Sequence, residues 1–190
     1  ILEGLLAAGV DGVIKHIPGH GHAAADSHLA LPQLGASLTE LNNDLIPFKA
    51  LANASMAMTA HVIYECWDSE RCATLSPKVI QDVIRFEVGF DGLLMSDDLD
   101  MKALSGDIGD LAREAQAAGC DVVLNCWAKM DDMVAIAKKM SAPSTRTLDR
   151  IQRVMRGISV TSPSERLKSR QGALLETRHA PPAACTTVCP

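Results

Sequence analysis

The sequence predicts an α/β fold built on a parallel sheet. Short apolar runs, each followed by a loop and then an amphipathic helix, alternate along the chain, and they span 12–15, 56–62, 92–96 and 122–126. Because these runs are mostly apolar rather than alternating, they are typical of strands that are buried on both faces. Alternation of strands and helices also favours parallel strands joined by right-handed crossovers.

Capping residues indicate where the first three helices begin or end. Ser37 and Glu40 have the spacing of a capping box, ahead of Leu41, Leu45 and Phe48 at helical spacing. Ser76 followed by Pro77 predicts the start of the second helix, which carries Val79, Ile80, Val83 and Ile84 on one face. Gly119 predicts the end of the third helix, which carries Leu111, Ala115 and Ala118.

Two further helices follow from periodicity alone. The fourth carries a methionine-rich stripe that we expect to be core rather than a cofactor-binding surface: Met130, Met133, Val134, Ala137 and Met140. The fifth carries Leu148, Ile151, Val154, Met155 and Ile158. Its arginines are spaced by three or four residues, which predicts one solvated face: Arg146, Arg150, Arg153 and Arg156.

These units amount to half of a known architecture. A (β/α)8 TIM-type barrel needs eight units and roughly 250 residues, so the sequence predicts about four β/α units of such a barrel over residues 1–160. A four-strand half cannot close, and open sheet edges are therefore expected. A small doubly wound sheet is the alternative architecture. Residues 161–190 are rich in Ser, Arg, Pro and Ala and are predicted to form a poorly ordered extension.

Composition argues against several classes of protein. The hydrophobic fraction of 47% is typical of a globular domain, and the net charge of −5 gives no reason to expect binding to nucleic acid or to an anionic membrane. No apolar run is long enough for a transmembrane helix, and residues 1–10 do not read as a signal peptide. The six cysteines have no CxxC or zinc spacing, which predicts reduced thiols and a cytoplasmic location. The sequence does not indicate an oligomeric state.

Polar side chains collect where the predicted strands end. Parallel α/β folds place reactive groups at this edge of the sheet. The polar residues at the ends of the four predicted strands, or directly after them, are Lys15 and His16, His61, Asp97 and Asp98, and Asn125. All histidines except His179 fall at these strand ends or in the loop after the first strand, which favours a functional site.

Two of these segments carry carboxylates suited to hydrolytic chemistry. In extended backbone Asp26 and His28 point the same way, and the carboxylate would orient the imidazole and stabilise its protonated form. A structural hydrogen bond between them is the alternative. Asp97 and Asp98 are adjacent and point in different directions, so that one can act as a nucleophile while backbone amides hold the other. Capping or solvation of both is the alternative.

At these residues the sequence resembles the family 3 glycoside hydrolases of the bacterial β-N-acetylglucosaminidase type. The motifs that carry the resemblance are Lys-His-Ile-Pro-Gly-His-Gly at 15–21, Asp-Ser-His at 26–28, Leu-Pro at 31–32, Met-Thr-Ala-His-Val at 58–62 and Ser-Asp-Asp-Leu at 96–99. The similarity runs from about residue 1 to residue 158 and corresponds to the C-terminal half of the family's catalytic domain, a C-terminal half-barrel. His22 and the alanines at 23–25 depart from the family pattern.

The resemblance implies a retaining mechanism with a covalent glycosyl-enzyme, in which Asp97 is the nucleophile and His28, paired with Asp26, is the acid/base. It also implies that Lys15 and His16 bind sugar hydroxyls, and we add His61 to the substrate-binding candidates. The expected substrate is a small-molecule saccharide or muropeptide from peptidoglycan turnover, which loses its terminal N-acetyl-β-glucosamine. No metal or organic cofactor is expected.

Two other functions stay open at this point. The chain begins with Ile rather than Met, which suggests a piece of a longer protein, and a truncated, inactive fragment is therefore one alternative. A metal-dependent hydrolase is the other. Its zinc ligands would come from His16, His20, His22, Asp26 and His28.

Overall fold

The computed structural model describes residues 1–21 and 30–157 of the chain. Its first half contains α1 (Leu2–Ala7), β1 (Val13–Ile17), β2 (Gln33–Leu34), α2 (Leu38–Asp44), α3 (Ile46–Ala50), β3 (Met56–Thr59) and β4 (Ile63–Tyr64). Its second half contains a 3-10 turn (Ala73–Leu75), a π-helix (Val79–Glu87), β5 (Leu93–Asp98), α4 (Ile108–Ala118), β6 (Val122–Leu124), α5 (Met130–Lys139) and α6 (Thr145–Gly157). The extension predicted for 161–190 lies outside the described residues.

Four strands form one parallel sheet in the order β1-β3-β5-β6. Each strand lies beside the one before it, always on the same side, so the order never reverses. A doubly wound sheet requires such a reversal, whereas a (β/α)8 barrel does not. The topology therefore confirms the barrel-type prediction, with four units present. Within the described ranges, the outer edges of β1 and β6 pair with no further strand.

The sheet is buried because its strands carry apolar side chains toward helices. Ile14, Ala57 and Leu94 are core residues of β1, β3 and β5. The π-helix contributes its predicted apolar face, Val79, Ile80, Val83 and Ile84. Full burial of a side chain of this size stabilises a fold by about 1.5–3 kcal/mol relative to exposure.

The predicted helix boundaries are largely confirmed. Ser37 Oγ accepts a hydrogen bond from the Glu40 amide, and the Glu40 carboxylate accepts one from the Ser37 amide, which completes the capping box. Ser76 Oγ accepts from the Val79 amide at 3.1 Å. Gly119 follows the last residue of α4 with φ of 122°, a conformation that favours glycine.

The helix predicted through Leu41, Leu45 and Phe48 is instead two short helices, α2 and α3, which meet at Leu45. Pro47 lies in the first turn of α3. It has no amide hydrogen to donate back to the preceding turn, so the first helix is not continued by regular hydrogen bonding.

The prediction of a buried methionine stripe on α5 is wrong. Met130 is 71% exposed and Met133 is 47% exposed. The reason is the way α5 packs on α4: a Cβ at Gly109 of α4 would lie 2.8 Å from the carbonyl oxygen of Ala135 and 3.0 Å from Lys139 Cγ. The face of α5 that includes Ala135 and Lys139 thus contacts α4, and the methionine stripe points away from it.

The prediction of a wholly solvated arginine face on α6 is also wrong. Arg150 is only 6% exposed. Its guanidinium donates to Asp121 Oδ1 at 3.0 Å and to Asp91 Oδ1 at 2.7 Å. Arg146 and Arg153, which are more exposed, also pair with Asp91, each at 3.2 Å. Sequence periodicity placed these arginines on one face. It did not reveal their aspartate partners, of which Asp121 is buried and Asp91 is half exposed.

Candidate active site

The carboxyl ends of the parallel strands bring four of the predicted polar positions to one edge of the sheet. His16 Nε2 of β1 lies 3.6 Å from Asp97 Oδ2 of β5. His61, just after β3, contacts the Asp98 backbone through Nε2 at 3.0 Å. The Cys126 amide, just after β6, donates to Asp98 Oδ1 at 2.9 Å. The predicted clustering of strand-end residues is therefore present in the fold.

The two adjacent aspartates have different surroundings. Asp98 Oδ1 accepts hydrogen bonds from the amides of Asp100 and Cys126, so this carboxylate connects the loops that follow β5 and β6. Asp97 Oδ1 accepts from the Asp98 amide at 2.8 Å, while its other oxygen faces His16. The Asp97 side chain is 14% exposed. Asp98 is thus held by backbone amides, and Asp97 keeps one oxygen directed toward the histidine side of the site.

His16 lies beside Asp97 as a neutral imidazole near neutral pH. Burial is the main reason that its pKa is lowered below the ordinary value of 6.5, and the charges of Lys15 and His20 lower it further, whereas Asp97 opposes the shift. A neutral ring carries one donor and one acceptor nitrogen, which suits contact with hydroxyl groups. Lys15 precedes it on β1 and is exposed. The peptide bond between Lys15 and His16 is cis, as is that between Ile17 and Pro18.

The turn that follows β1 is anchored by β4. The Tyr64 hydroxyl donates to the carbonyl oxygen of Gly19, and the Gly19 amide donates to the His16 carbonyl at 2.9 Å. Gly19 has φ of 139°, where a side chain is strained. The His20 ring that follows lies 5.9 Å from the His16 ring, measured between centroids. At this turn, which lies next to His16, the chain leaves β1.

The segment that would carry the acid/base pair, Asp26 and His28, lies outside the described residues, as does His22. The described residues on either side of it are Gly21 and Ala30. Gly21 follows the anchored turn, and on the other side the Ile63 amide donates to the Pro32 carbonyl at 2.9 Å, next to the pairing of β2 with β4. The roles of Asp26 and His28 stay predictions.

His61 does not offer its ring to a sugar in this structure. It is fully buried, and its ring nitrogens lie 2.8 Å from Thr74 Oγ1 and 3.0 Å from the Asp98 carbonyl oxygen. Burial is the main reason that its pKa is lowered. The predicted direct contact of His61 with substrate is corrected on this geometry, because both ring nitrogens are already within hydrogen-bond distance of protein atoms.

Sequence reasoning missed Thr74 and Cys126, which contact His61 and Asp98. Thr74 lies in a 3-10 turn, where the sequence has no periodic pattern. Its place in the site is apparent only from the contact of its hydroxyl group with His61 Nδ1.

Of the proposed zinc ligands only His16 and His20 are described. No group of three or more potential ligands occurs within 1–21 and 30–157.

A barrel-type parallel sheet with carboxylate and imidazole groups at its carboxyl edge defines part of a (β/α)8-barrel protein with an enzyme-type site. The model of the glycosyl hydrolase family 3 N terminal domain matches residues 1–157. The chain therefore belongs to glycosyl hydrolase family 3, as its motifs indicated.

Relatives with known names agree with this assignment. A β-hexosaminidase from Pseudomonas aeruginosa is 42% identical over 164 residues, which cover 82% of this chain and 47% of that protein. The crystal structure of NagZ from Neisseria gonorrhoeae in complex with N-trifluoroacetyl-D-glucosamine has a TM-score of 0.77 and 31% identity, and covers 93% of this chain and 50% of that one. A structure of the same Neisseria protein in complex with zinc ion has a TM-score of 0.74 and 29% identity, with coverage of 93% and 50%. The chain thus spans about half the length of these relatives.

Within the described residues, no helix is both long and apolar enough to cross a membrane.

Proposed function

We propose that this chain carries the nucleophile and acid/base of a retaining glycosidase that removes terminal N-acetyl-β-glucosamine from peptidoglycan-derived saccharides. The observation that carries the proposal is the division of labour between the two adjacent aspartates. Backbone amides hold the Asp98 carboxylate, whereas Asp97 directs one oxygen toward His16. A nucleophile needs an accessible oxygen lone pair and a fixed carboxylate plane, and Asp97 meets both needs.

The proposed reaction has two steps. Asp97 attacks the anomeric carbon while His28, as imidazolium stabilised by Asp26, gives its proton to the leaving glycosidic oxygen. The glycosidic bond breaks as the bond to Asp97 forms. Neutral His28 then removes a proton from water, which attacks the anomeric carbon and releases Asp97 as a carboxylate. Lys15 and His16 bind sugar hydroxyls, and the anomeric configuration is retained overall.

The relatives support the substrate class. The Pseudomonas protein is named a β-hexosaminidase, and the Neisseria protein is bound to an N-acylated glucosamine. The finer parts of the proposal, a muropeptide substrate and a cytoplasmic location, rest on the resemblance and on cysteines without disulfide partners among the described residues: Cys66, Cys72, Cys120 and Cys126.

The test is hydrolysis of 4-nitrophenyl N-acetyl-β-glucosaminide by the longest natural polypeptide that contains residues 1–190, with and without Asp97→Asn. This change keeps the size of the side chain but removes the nucleophilic carboxylate, so we expect turnover to fall by about 10³-fold or more. Asp131→Asn is the matched control, because Asp131 is an exposed carboxylate on α5. Full turnover in Asp97→Asn would contradict the proposal.

The stereochemistry gives a second test. A retaining mechanism releases the β anomer first, which proton NMR detects before the sugar mutarotates. Initial release of the α anomer would show direct attack by water. The same assays on residues 1–190 alone, together with a thermal melt, decide whether this stretch is active without additional chain. A cooperative melt without turnover would favour the inactive-fragment alternative.

Zinc is a second candidate because a relative is known in complex with that ion. If the chain belongs to a metal-dependent hydrolase, removal of stoichiometric zinc by a chelator abolishes turnover, and added zinc restores it. If the glycosidase proposal holds, the chelated protein keeps its turnover.

A further inference from the structure

A chain of buried polar groups lies behind the Asp97–Asp98 segment. Thr59, His61 and Thr74 are all fully buried. Thr59 Oγ1 lies 2.8 Å from Thr74 Oγ1, and Thr74 Oγ1 lies 2.8 Å from His61 Nδ1. His61 Nε2 completes the chain at 3.0 Å from the Asp98 carbonyl oxygen. Buried polar groups are costly unless each finds a partner, so this arrangement has a definite pattern of donors and acceptors.

The direction of each hydrogen bond follows from its fixed end. The Asp98 carbonyl oxygen can only accept, so His61 Nε2 carries the hydrogen. Burial keeps the ring neutral by lowering its pKa, which leaves Nδ1 as an acceptor for the Thr74 hydroxyl. Thr74 has one hydroxyl hydrogen, and its contact with Nδ1 is shorter than the 3.2 Å contact with the Ala60 carbonyl. Thr59 then donates to the Thr74 oxygen.

The fixed end of this chain is connected to the reacting group. The Asp98 amide donates to Asp97 Oδ1, and the Asp98 carbonyl accepts from His61. The Asp98 carboxylate meanwhile accepts from the amides of Asp100 and Cys126. The backbone of Asp98 is therefore held through its amide, its carbonyl and its side chain, and the Asp97 carboxylate takes its orientation from that backbone.

We propose that His61 and Thr74 are positioning residues, in which the Thr74 hydroxyl fixes the His61 tautomer and His61 holds the Asp98 backbone that orients Asp97. This inference rests on the proposed function, in which Asp97 is the nucleophile. Neither residue touches the sugar. Misplacement of a reacting group by about 1 Å costs about 100-fold in rate, so a hydrogen bond that fixes the backbone next to a nucleophile has a kinetic effect larger than its effect on substrate binding.

The first test compares two buried threonines. Thr74→Val keeps the shape but removes the donor to His61 Nδ1, and we expect kcat to fall by about 10- to 100-fold with KM changed less than about threefold. Thr74→Ser restores the hydroxyl and should recover most of kcat. Thr59→Val is the matched control: it removes a buried hydroxyl from the same chain, but one that does not reach the imidazole. An equal loss of kcat in both valine variants would overturn the positioning role of Thr74.

The second test compares two replacements of His61. The amide of His61→Gln can still donate from near the Nε2 position to the Asp98 carbonyl, whereas His61→Leu cannot. We expect the glutamine variant to retain about 10-fold more kcat than the leucine variant, at similar KM. Thermal melts identify variants that fail to fold. Equal kcat in two folded variants would overturn the role of His61.

The tautomer itself is measured by nitrogen NMR of the histidine-labelled protein. The proposal requires a neutral His61 ring with hydrogen on Nε2 near neutral pH, and a Thr74→Val protein in which that tautomer is less populated. Hydrogen on Nδ1 in the unaltered protein would overturn it. Failure of the proposed function can also be distinguished from failure of the positioning inference. If Asp97→Asn abolishes turnover while Thr74→Val leaves kcat unchanged, only the positioning inference fails; if the unaltered protein does not hydrolyse the glycoside, the proposed function fails and takes this inference with it.

Discussion

The two edges of the parallel sheet use charge in opposite ways. At the amino edge, Asp91 and Asp121 precede β5 and β6, and both are paired with arginines. Asp121 is buried and accepts from Arg85, from Arg150 and from the Leu94 amide. At the carboxyl edge, the Asp97 carboxylate has no arginine or lysine partner among the described residues: one oxygen accepts from the Asp98 amide, and the other lies 3.6 Å from the imidazole of His16, whose pKa is lowered.

The amino edge therefore holds the fold together, whereas the carboxyl edge is available for chemistry. Ion pairs with full hydrogen bonding keep buried carboxylates charged and immobile. A carboxylate beside a neutral imidazole keeps a lone pair for reaction. In (β/α)8-barrel enzymes the reactive groups lie at the carboxyl edge of the sheet, and residues at the amino edge contribute to stability. The cavity of about 490 Å³ that Arg85, Asp121 and Arg150 line lies at the amino edge and belongs to the stabilising region.

The largest expected effect on stability comes from Arg150→Met. The change leaves Asp121 buried with one fewer cationic partner, and removing one member of a buried ion pair costs about 3–5 kcal/mol. We expect the free energy of unfolding, measured by urea denaturation, to fall by about 3 kcal/mol. Molecules that remain folded should keep their kcat, because Arg150 lies at the edge remote from Asp97.

Arg156→Met is the matched control, since Arg156 is an exposed arginine on the same helix. We expect it to change the free energy of unfolding by less than about 0.5 kcal/mol. Equal losses in the two variants would show that helix propensity or surface charge, rather than the buried pairs, explains the effect and would remove the contrast between the two edges.

Sequence reasoning predicted the fold better than it predicted which polar side chains contact each other. The apolar runs and the alternation with helices predicted all four strands of the sheet, because burial on both faces leaves a local signature. Strand ends were less accurate: the third run was predicted at 92–96, but β5 extends to Asp98 because backbone pairing with β6 continues past the apolar residues. Ladder pairing depends on a neighbouring strand, and a single run does not reveal its extent.

The burial of Arg150 and His61 was not predictable from spacing. Arg150 pairs with Asp91 and Asp121, which are 59 and 29 residues away along the chain. His61 was interpreted as a substrate ligand from its strand-end position, yet its place in the fold is set by Thr74 and the Asp98 carbonyl. Local patterns predict which face of an element is apolar, whereas long-range packing decides which polar side chains that face covers.

A smaller effect on stability, which depends on pH, is expected at the carboxyl edge. The pKa of His61 is lowered from 6.5 chiefly by burial, and nearby Asp97 and Asp98 oppose the shift. The unfolded chain therefore binds the proton more readily, and stability falls as pH drops below 6.5 toward the lowered pKa. We expect His61→Gln to reduce the dependence of the free energy of unfolding on pH, measured by urea denaturation. The change in free energy over this pH range should be smaller than the loss expected for Arg150→Met. His16 contributes in the same direction, so an unchanged slope in the double variant with His16→Gln would contradict the prediction.

The smallest effect is expected at Asp91, in a different pH window. Hydrogen bonding to Arg150 is the main reason that its pKa is lowered from 3.8 to about 2. Because the folded-state value is depressed, the stabilisation is complete above 3.8 and is lost as the pH falls through about 2. Solvent screening limits it to less than about 1 kcal/mol, since the side chain is half exposed. Asp91→Asn should therefore reduce the dependence of the urea midpoint on pH below about pH 4 and leave the His61 window unaltered. A change in the slope near pH 6 in this variant would mean that the two edges are electrostatically coupled, and the separation between a stabilising edge and a reactive edge would not hold.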